Sequence, residues 1–105
     1  MNGKYPDGIT GTGRFLFIEF VPYQGDAGME VWEMVASGRT FRFRQAIYWR
    51  ETLPEDDWHV SMMDCTEKWL AVAFDNGLVT VWGWRAGETA LELRFRLSYY
   101  HQPGR

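Results

Sequence analysis

Three side chains that could act as nucleophile and base lie near one another in the sequence. His59, Ser61 and Cys65 share one face if residues 58 to 65 form a single strand, and covalent catalysis pairs a hydroxyl or thiol with an imidazole. An extended strand rises about 3.3 Å per residue, so it separates His59 from Cys65 by roughly 20 Å. A turn at Asp64 would bring them closer, but a small thiol beside an unrelated histidine is the commoner arrangement. We therefore predict that the protein is not an enzyme.

Metal and phosphate binding have weaker support. Metal sites place their ligands at characteristic spacings, and the nearest candidates offer no paired Cys or His spacing. These candidates are Asp57, His59, Asp64 and Cys65. Residues 11 to 13 read Gly-Thr-Gly, but a phosphate-binding loop follows a strand and precedes a helix, whereas the run after this one reads as a strand. The sequence therefore predicts no metal, phosphate site or other cofactor.

Arginines beside aromatic residues give the best indication of binding. Residues 40 to 49, TFRFRQAIYW, alternate in type, which predicts one face toward the core and one away from it. Gln45 and Ala46 break this alternation, so a bulge or a helical turn could begin there. The core-facing set is Phe41, Phe43, Ile47 and Trp49. The candidate binding set is Arg42, Arg44, Tyr48 and Arg50, joined by Arg94 and Arg96 of the last strand if the two repeated strands lie in one sheet. Such residues suit an acidic protein surface, a carboxylate or a stacked base. The competing interpretation is a solvated face whose arginines pair with Glu33, Glu51 or Glu92.

Size and composition bound the class of protein. The chain has 105 residues and a formal net charge of −3, which suits one domain and argues against binding nucleic acid through bulk electrostatics. Aromatics make up 17 % of the residues, more than a core of this size requires, so some should lie at a surface. The single cysteine excludes an internal disulfide, and no run approaches the roughly 18 apolar residues of a membrane span. We expect a cytoplasmic protein with no membrane contact.

The stretch from residue 68 to residue 85 predicts a β-hairpin. Two runs rich in β-branched and aromatic residues flank Asp75-Asn76-Gly77, a sequence that tolerates the positive φ of a tight turn. A three-residue loop places Leu70 opposite Trp82, whereas a two-residue Asn-Gly turn shifts the pairing by one residue. Both faces of the hairpin are apolar, a pattern typical of strands that are covered on both sides.

The rest of the chain reads as further strands separated by turns. Residues 1 to 13 are polar and rich in glycine, which predicts a flexible N-terminal arm, and residues 101 to 105 form a tail. A single all-β domain then covers residues 14 to 100. Its other predicted strands are residues 14 to 21, 29 to 36, 40 to 49, 58 to 63 and 89 to 99, the last with Leu91, Leu93, Phe95 and Leu97 inward and Glu92, Arg94 and Arg96 outward.

The two halves of this domain resemble each other. Residues 14 to 20 are similar to residues 68 to 74, and Val31-Trp32 matches Val81-Trp82. Half-repeats of about 14 to 50 and 58 to 100 follow, with a period in the range of propeller blades. The second half resembles one WD-type blade, without the Asp that should follow the Trp. Because two blades cannot close a ring of four to eight, oligomerisation would have to complete a propeller.

The simpler expectation is an all-β fold, an antiparallel meander of about seven strands forming a small barrel or two-layer sandwich with an approximate internal twofold repeat. The function predicted with it is non-catalytic recognition of another protein, as in inhibitors, immunity proteins and assembly adaptors. The alternative is binding of single-stranded nucleic acid or carbohydrate, with aromatic stacking platforms. The candidate platforms are Trp49, Trp84, Tyr99 and Tyr100.

Overall fold

Eight β-strands make up most of the part of the chain that the structure describes. The structure, a computed structural model, describes residues 4–22, 26–35, 40–53 and 59–98. The strands are β1 (Lys4–Gly11), β2 (Phe15–Pro22), β3 (Gly28–Val35), β4 (Thr40–Tyr48), β5 (Val60–Cys65), β6 (Trp69–Phe74), β7 (Leu78–Trp84) and β8 (Leu91–Ser98). One turn of helix, α1 (Trp49–Thr52), follows β4, and a short 3-10 turn, Ala86–Glu88, precedes β8. No helix in these ranges is long and apolar enough to cross a membrane.

The strands form two antiparallel sheets, each in chain order. Sheet 1 contains β1 to β4 and sheet 2 contains β5 to β8. The inner faces of the two sheets bury one hydrophobic cluster between them, so the predicted all-β class is confirmed as a two-layer arrangement, and the described strands do not close into a barrel. Lys4–Gly11, predicted as part of a flexible arm, instead forms β1 and pairs along β2.

The β6–β7 hairpin has the register that the three-residue loop predicts. Leu70 lies opposite Trp82, and Trp69 opposite Gly83, so large residues face small ones on the outer side. Gly77 has φ 89°, and its N–H donates to the Phe74 carbonyl over 3.1 Å. The two-residue turn is excluded because the pairing it requires is absent from this hairpin.

Side chains from both sheets and from α1 fill the core. Trp49, at the start of α1, is fully buried, and its ring meets that of Phe74 edge to face at 5.2 Å. Trp82 is 1 % exposed, and its indole N–H donates to the Thr80 hydroxyl over 2.8 Å. The described part of the chain leaves one buried side-chain polar atom without a hydrogen bond, Trp49 Nε1.

A β-bulge in β4 corrects the predicted alternation of that strand. The register with β3 shifts between Val31, which lies opposite Gln45, and Trp32, which lies opposite Phe43. Arg44 is therefore an extra residue, and side chains on its two sides exchange faces. Phe41 and Phe43 consequently lie on the outer face with Tyr48, while Arg42 shares the inner side with Ile47.

A β-bulge in β8 also corrects the predicted alternation of the last strand. Its register with β7 shifts between Val81, opposite Phe95, and Trp82, opposite Leu93, which makes Arg94 the extra residue. The first leucines of β8 face the core as predicted. Phe95 and Leu97 face outward instead, and Arg96, opposite Thr80, lies on the inner side.

The registers of the two sheets match throughout. Leu16 lies opposite Trp32 in sheet 1, as Leu70 lies opposite Trp82 in sheet 2. The first strand pair of each sheet also has one extra residue, Asp7 in β1 and Ser61 in β5. Matching registers are what the predicted internal repeat requires, although the repeat itself stays a prediction.

Candidate interaction surfaces

Two of the predicted binding arginines belong to a cluster around Glu33. This glutamate lies on the inner side of β3 and is 7 % exposed. Its carboxylate accepts hydrogen bonds from Arg14, Arg42 and Arg44 at 2.9, 2.8 and 2.7 Å. These guanidinium groups, Arg14 first, lower the pKa of Glu33 to about 2. Arg42 and Arg44 therefore make intramolecular ion pairs at one end of sheet 1.

The other predicted binding residues lie elsewhere. Arg50 pairs with Asp26 over 3.2 Å. Tyr48 packs edge to face against Phe20 at 5.7 Å, on the outer side of sheet 1. Arg94 donates to the Trp84 carbonyl over 2.7 Å and pairs with Glu92. The six residues do not form one surface, because β4 and β8 belong to different sheets and the bulge in each strand moves residues to different faces. A role for any of them in binding stays a prediction.

The predicted stacking platforms differ in how exposed their rings are. Trp49 has no exposed surface, so its prediction as a platform is wrong. Trp84 is half-buried, with its ring 4.4 Å from that of Phe15. Tyr99 and Tyr100 lie outside the described residues.

The outer faces of both sheets expose large apolar side chains. Ile9, Phe41 and Phe43 do so on sheet 1, and Phe43 meets Trp32 edge to face at 5.5 Å. On sheet 2 the exposed set is Met62, Trp69, Phe95 and Leu97. The 17 % aromatic content and the two-sided apolar strands signal such a surface in the sequence, but without the bulges they could not say which residues form it.

A shallow cleft lies beside Trp69 on sheet 2. It has a volume of about 280 Å³ and is lined by Glu67, Lys68, Trp69, Gly83, Trp84 and Arg94. A Cβ on Gly83 would lie 3.3 Å from the Trp69 ring and 3.2 Å from the Arg94 side chain. Glycine at this position thus lets an exposed indole and an arginine approach each other across the strand.

Cys65 is the last residue of β5, and His59 lies one residue before that strand begins. The thiol of Cys65 is half-buried and lies 3.7 Å from the Thr10 hydroxyl. Among the described residues, no group of three or more His, Cys, Asp or Glu could hold a metal ion, and Asp57 lies outside those residues. The hydroxyl of Thr12 accepts from the N–H groups of Arg14 and Phe15, which places the Gly-Thr-Gly run in the turn between β1 and β2.

Glu19 is a buried acid on the inner face of sheet 1. It is 3 % exposed, and a Cβ on Gly8 opposite would lie 2.8 Å from its Oε1, so glycine leaves room for the carboxyl group. Burial raises the pKa of Glu19 to about 7, with a further increase from Asp7 and Asp75 and an opposing effect of His59. With a pKa of about 7, the carboxyl group is mostly protonated below neutral pH, and the neutral form suits a buried position better than a carboxylate does.

Comparison of the chain with protein-family models, with curated proteins and with solved structures finds no match.

Proposed function

We propose that this chain is a non-catalytic, cytoplasmic module that recognises protein, and that it binds through the outer faces of its two sheets. The observation that carries the proposal is the exposure of large apolar side chains on both of those faces. Contiguous apolar surface is uncommon on soluble monomers and marks interaction sites. Tryptophan and phenylalanine are also the residues that interfaces use as anchors.

The hairpin at the centre of sheet 2 supports the same conclusion. An antiparallel sheet with one solvated face alternates apolar and polar residues. The outer side of β6 and β7 instead carries Ala71, Ala73, Val79 and Val81 around the ring of Trp69. That composition is typical of a strand pair covered on both sides, and within the chain only the inner side of this pair contacts the other sheet in the described residues.

Arginines would contribute at the rim of these faces. Arg94 lies beside Trp69 and is 38 % exposed at its side chain. Arginine is enriched at interfaces because its planar group both stacks and donates several hydrogen bonds. In this proposal the arginines set specificity and the apolar faces provide most of the affinity.

Affinity capture with matched variants tests the proposal. Tagged wild type, Phe95→Glu on the outer face of sheet 2 and Glu51→Lys at an exposed position of α1 would be used to capture proteins from a native extract. We expect Phe95→Glu to lose the captured protein and Glu51→Lys to keep it. Capture that survives Phe95→Glu and Phe43→Glu, but is lost with Arg42→Glu, would instead support the arginine surface and contradict the proposal.

A second candidate function is supported by the cleft beside Trp69. Its exposed indole, with Lys68 and Arg94 at the same cleft, suits stacking on a base or a sugar ring together with a backbone phosphate or hydroxyl. Titration of an oligothymidine and of an oligosaccharide, followed by tryptophan fluorescence, tests it. Nucleic-acid binding would weaken steeply with salt and would be lost in Trp69→Ala, whereas no fluorescence change with either probe contradicts this candidate.

A further inference from the structure

We propose that the partner of the outer faces is a second copy of this chain, with sheet 2 of one copy packed on sheet 1 of the next. The arrangement repeats, between copies, the head-to-tail packing of the two sheets within the chain. This inference rests on the proposed function, because it names the partner of the same surfaces.

The first step is the correspondence of positions between the sheets. Trp32 corresponds to Trp82, because each is opposite a matching leucine of the preceding strand and each follows the position where a bulge begins. Each indole N–H also donates to the side chain two residues earlier, Glu30 at 3.0 Å and Thr80 at 2.8 Å. Since Trp32 lies on the outer face of sheet 1 and Trp82 on the inner face of sheet 2, these two faces correspond.

The second step is the packing inside the chain. Phe15 of sheet 1 contacts Trp84 of sheet 2, with ring centroids 4.4 Å apart. Gln45 of β4 exchanges two hydrogen bonds of 2.9 Å with the backbone of Leu91 in β8. The inner face of sheet 1 therefore packs on a face that corresponds to its own outer face. The contact therefore joins two faces that do not correspond to each other in the repeat. Packing of this kind is head to tail, whereas a symmetric contact would join two corresponding faces.

The third step concerns the two faces left over. In the matching registers, Trp69 corresponds to Phe15 and Met34 to Trp84. The outer face of sheet 2 thus corresponds to the inner face of sheet 1, which is buried within the chain. The outer face of sheet 1 likewise corresponds to the buried inner face of sheet 2. Phe15 is 4 % exposed and Trp69 is 43 % exposed. This difference is expected if the face of Phe15 is covered within the chain and the face of Trp69 is covered only by a second copy.

The same correspondence predicts the contacts between copies. Trp69 of one copy should pack on Met34 of the next, in the manner of Phe15 on Trp84. Phe95 corresponds to Gln45 and Phe41 to Leu91, so Phe95 should meet Phe41. A pair of hydrogen bonds inside the chain is replaced between copies by an aromatic pair, which needs no polar partner.

Closure sets the number of copies. A head-to-tail contact makes a ring if its rotation closes and a filament if it does not. Face-packed four-stranded sheets close as rings of about four to eight sheets, and each chain supplies two. We therefore expect a closed ring of about two to four copies.

The solution mass of the protein and of two variants tests this inference. Light scattering after size exclusion should give wild type a fixed multiple of 12.3 kDa that does not grow with concentration. Phe43→Glu blocks the outer face of sheet 1 and Phe95→Glu that of sheet 2, so each variant alone should be monomeric. An equal mixture should form a one-to-one pair and stop there, since one intact face of each kind remains. Glu51→Lys, at an exposed position of α1, is the control and should keep the wild-type mass, and circular dichroism verifies that all variants fold.

Several results would overturn the inference. A wild-type monomer at tens of micromolar, or a mixture of the two variants that does not pair, excludes head-to-tail association. Association of Phe43→Glu or Phe95→Glu with itself would mean that like faces pair, and an open polymer would exclude a closed ring. If wild type is a monomer but Phe95→Glu still loses the captured protein, self-association is overturned while the proposed function stands. Capture unaffected by either outer-face variant would overturn the proposed function.

Discussion

Replacing Glu19 with glutamine should remove a pH-dependent loss of stability from the protein. The pKa of Glu19 is about 7 in the folded chain, against an ordinary value of 4.5. Between these values the folded state holds a proton that the unfolded state has released, so wild-type stability falls as the pH rises through this window. Below pH 4.5 both states hold the proton, and the contribution is constant.

The magnitude follows from the pKa difference. Each unit corresponds to about 1.4 kcal/mol, which gives a ceiling of about 3 kcal/mol for Glu19, and residual hydration of the carboxyl group reduces the effect to about 2 kcal/mol. Glutamine has nearly the shape of the protonated acid and does not titrate. Glu19→Gln should therefore match wild type near pH 4.5 and exceed its unfolding free energy by about 2 kcal/mol at pH 8.

Urea unfolding at pH 4.5, 6 and 8, at one protein concentration, measures this difference. Glu67→Gln is the control, because Glu67 is an exposed acid in a turn and its replacement should leave the pH dependence of wild type intact. A Glu19→Gln variant with the same pH dependence as wild type, or one less stable than wild type at pH 8, would refute the reasoning.

Three further variants test the fold. Glu33→Gln should lower the melting temperature at pH 7. The difference from wild type should shrink as the pH falls from 4.5 toward 2, because the stability from a lowered pKa is present above the unfolded value and lost through the folded one; a constant difference across an acid melting series would contradict this. Trp82→Ala should cost about 3 to 5 kcal/mol in urea unfolding, since Trp82 is 1 % exposed, and a cost below about 1 kcal/mol would show that this ring is not packed. Gly77→Ala should cost about 1 to 2 kcal/mol, because φ there is 89°; Gly13→Ala, with nothing within 4 Å of the added Cβ, is its control, and equal melting temperatures for the two would be inconsistent with a strained turn.

The hairpin could be predicted from the sequence because its information is local. Gly77 allows the positive φ, and the pairing of Trp69 with Gly83 fixes the register by size. Both requirements lie within one short stretch, so no distant contact has to be known. The all-β class follows in the same way from repeated alternation of apolar residues.

The bulge in β8 and the first strand could not be predicted, because they depend on pairing. For β4, the break in alternation at Gln45 and Ala46 indicates a bulge or a helical turn, but it does not identify Arg44 as the extra residue. A bulge moves every later side chain to the other face, and nothing in the type of Arg44 or Arg94 marks it as the extra residue. Lys4–Gly11 contains two glycines and a proline, which are poor strand formers, and it is held by the free edge of β2.

The composition of the interaction surfaces could not be predicted in full either, because it also depends on how the strands pair. The arginines were predicted as one set because simple alternation puts them on one side of the strand. In the fold, Glu33 pairs with Arg42 and Arg44 of the neighbouring strand, which is one of the pairings that the competing interpretation of a solvated face names. The outward position of Phe43 and Phe95 follows only once both bulges are known.

Radical footprinting of the wild-type protein at two concentrations tests most directly whether the outer faces are covered. Trp69, Phe95 and Phe43 are all more than two-fifths exposed in the isolated chain. We predict that these rings are protected from oxidation at tens of micromolar and become reactive on dilution, and that Trp69 and Phe95 are reactive in Phe43→Glu. Oxidation at the rate of free aromatic side chains at both concentrations would contradict the account.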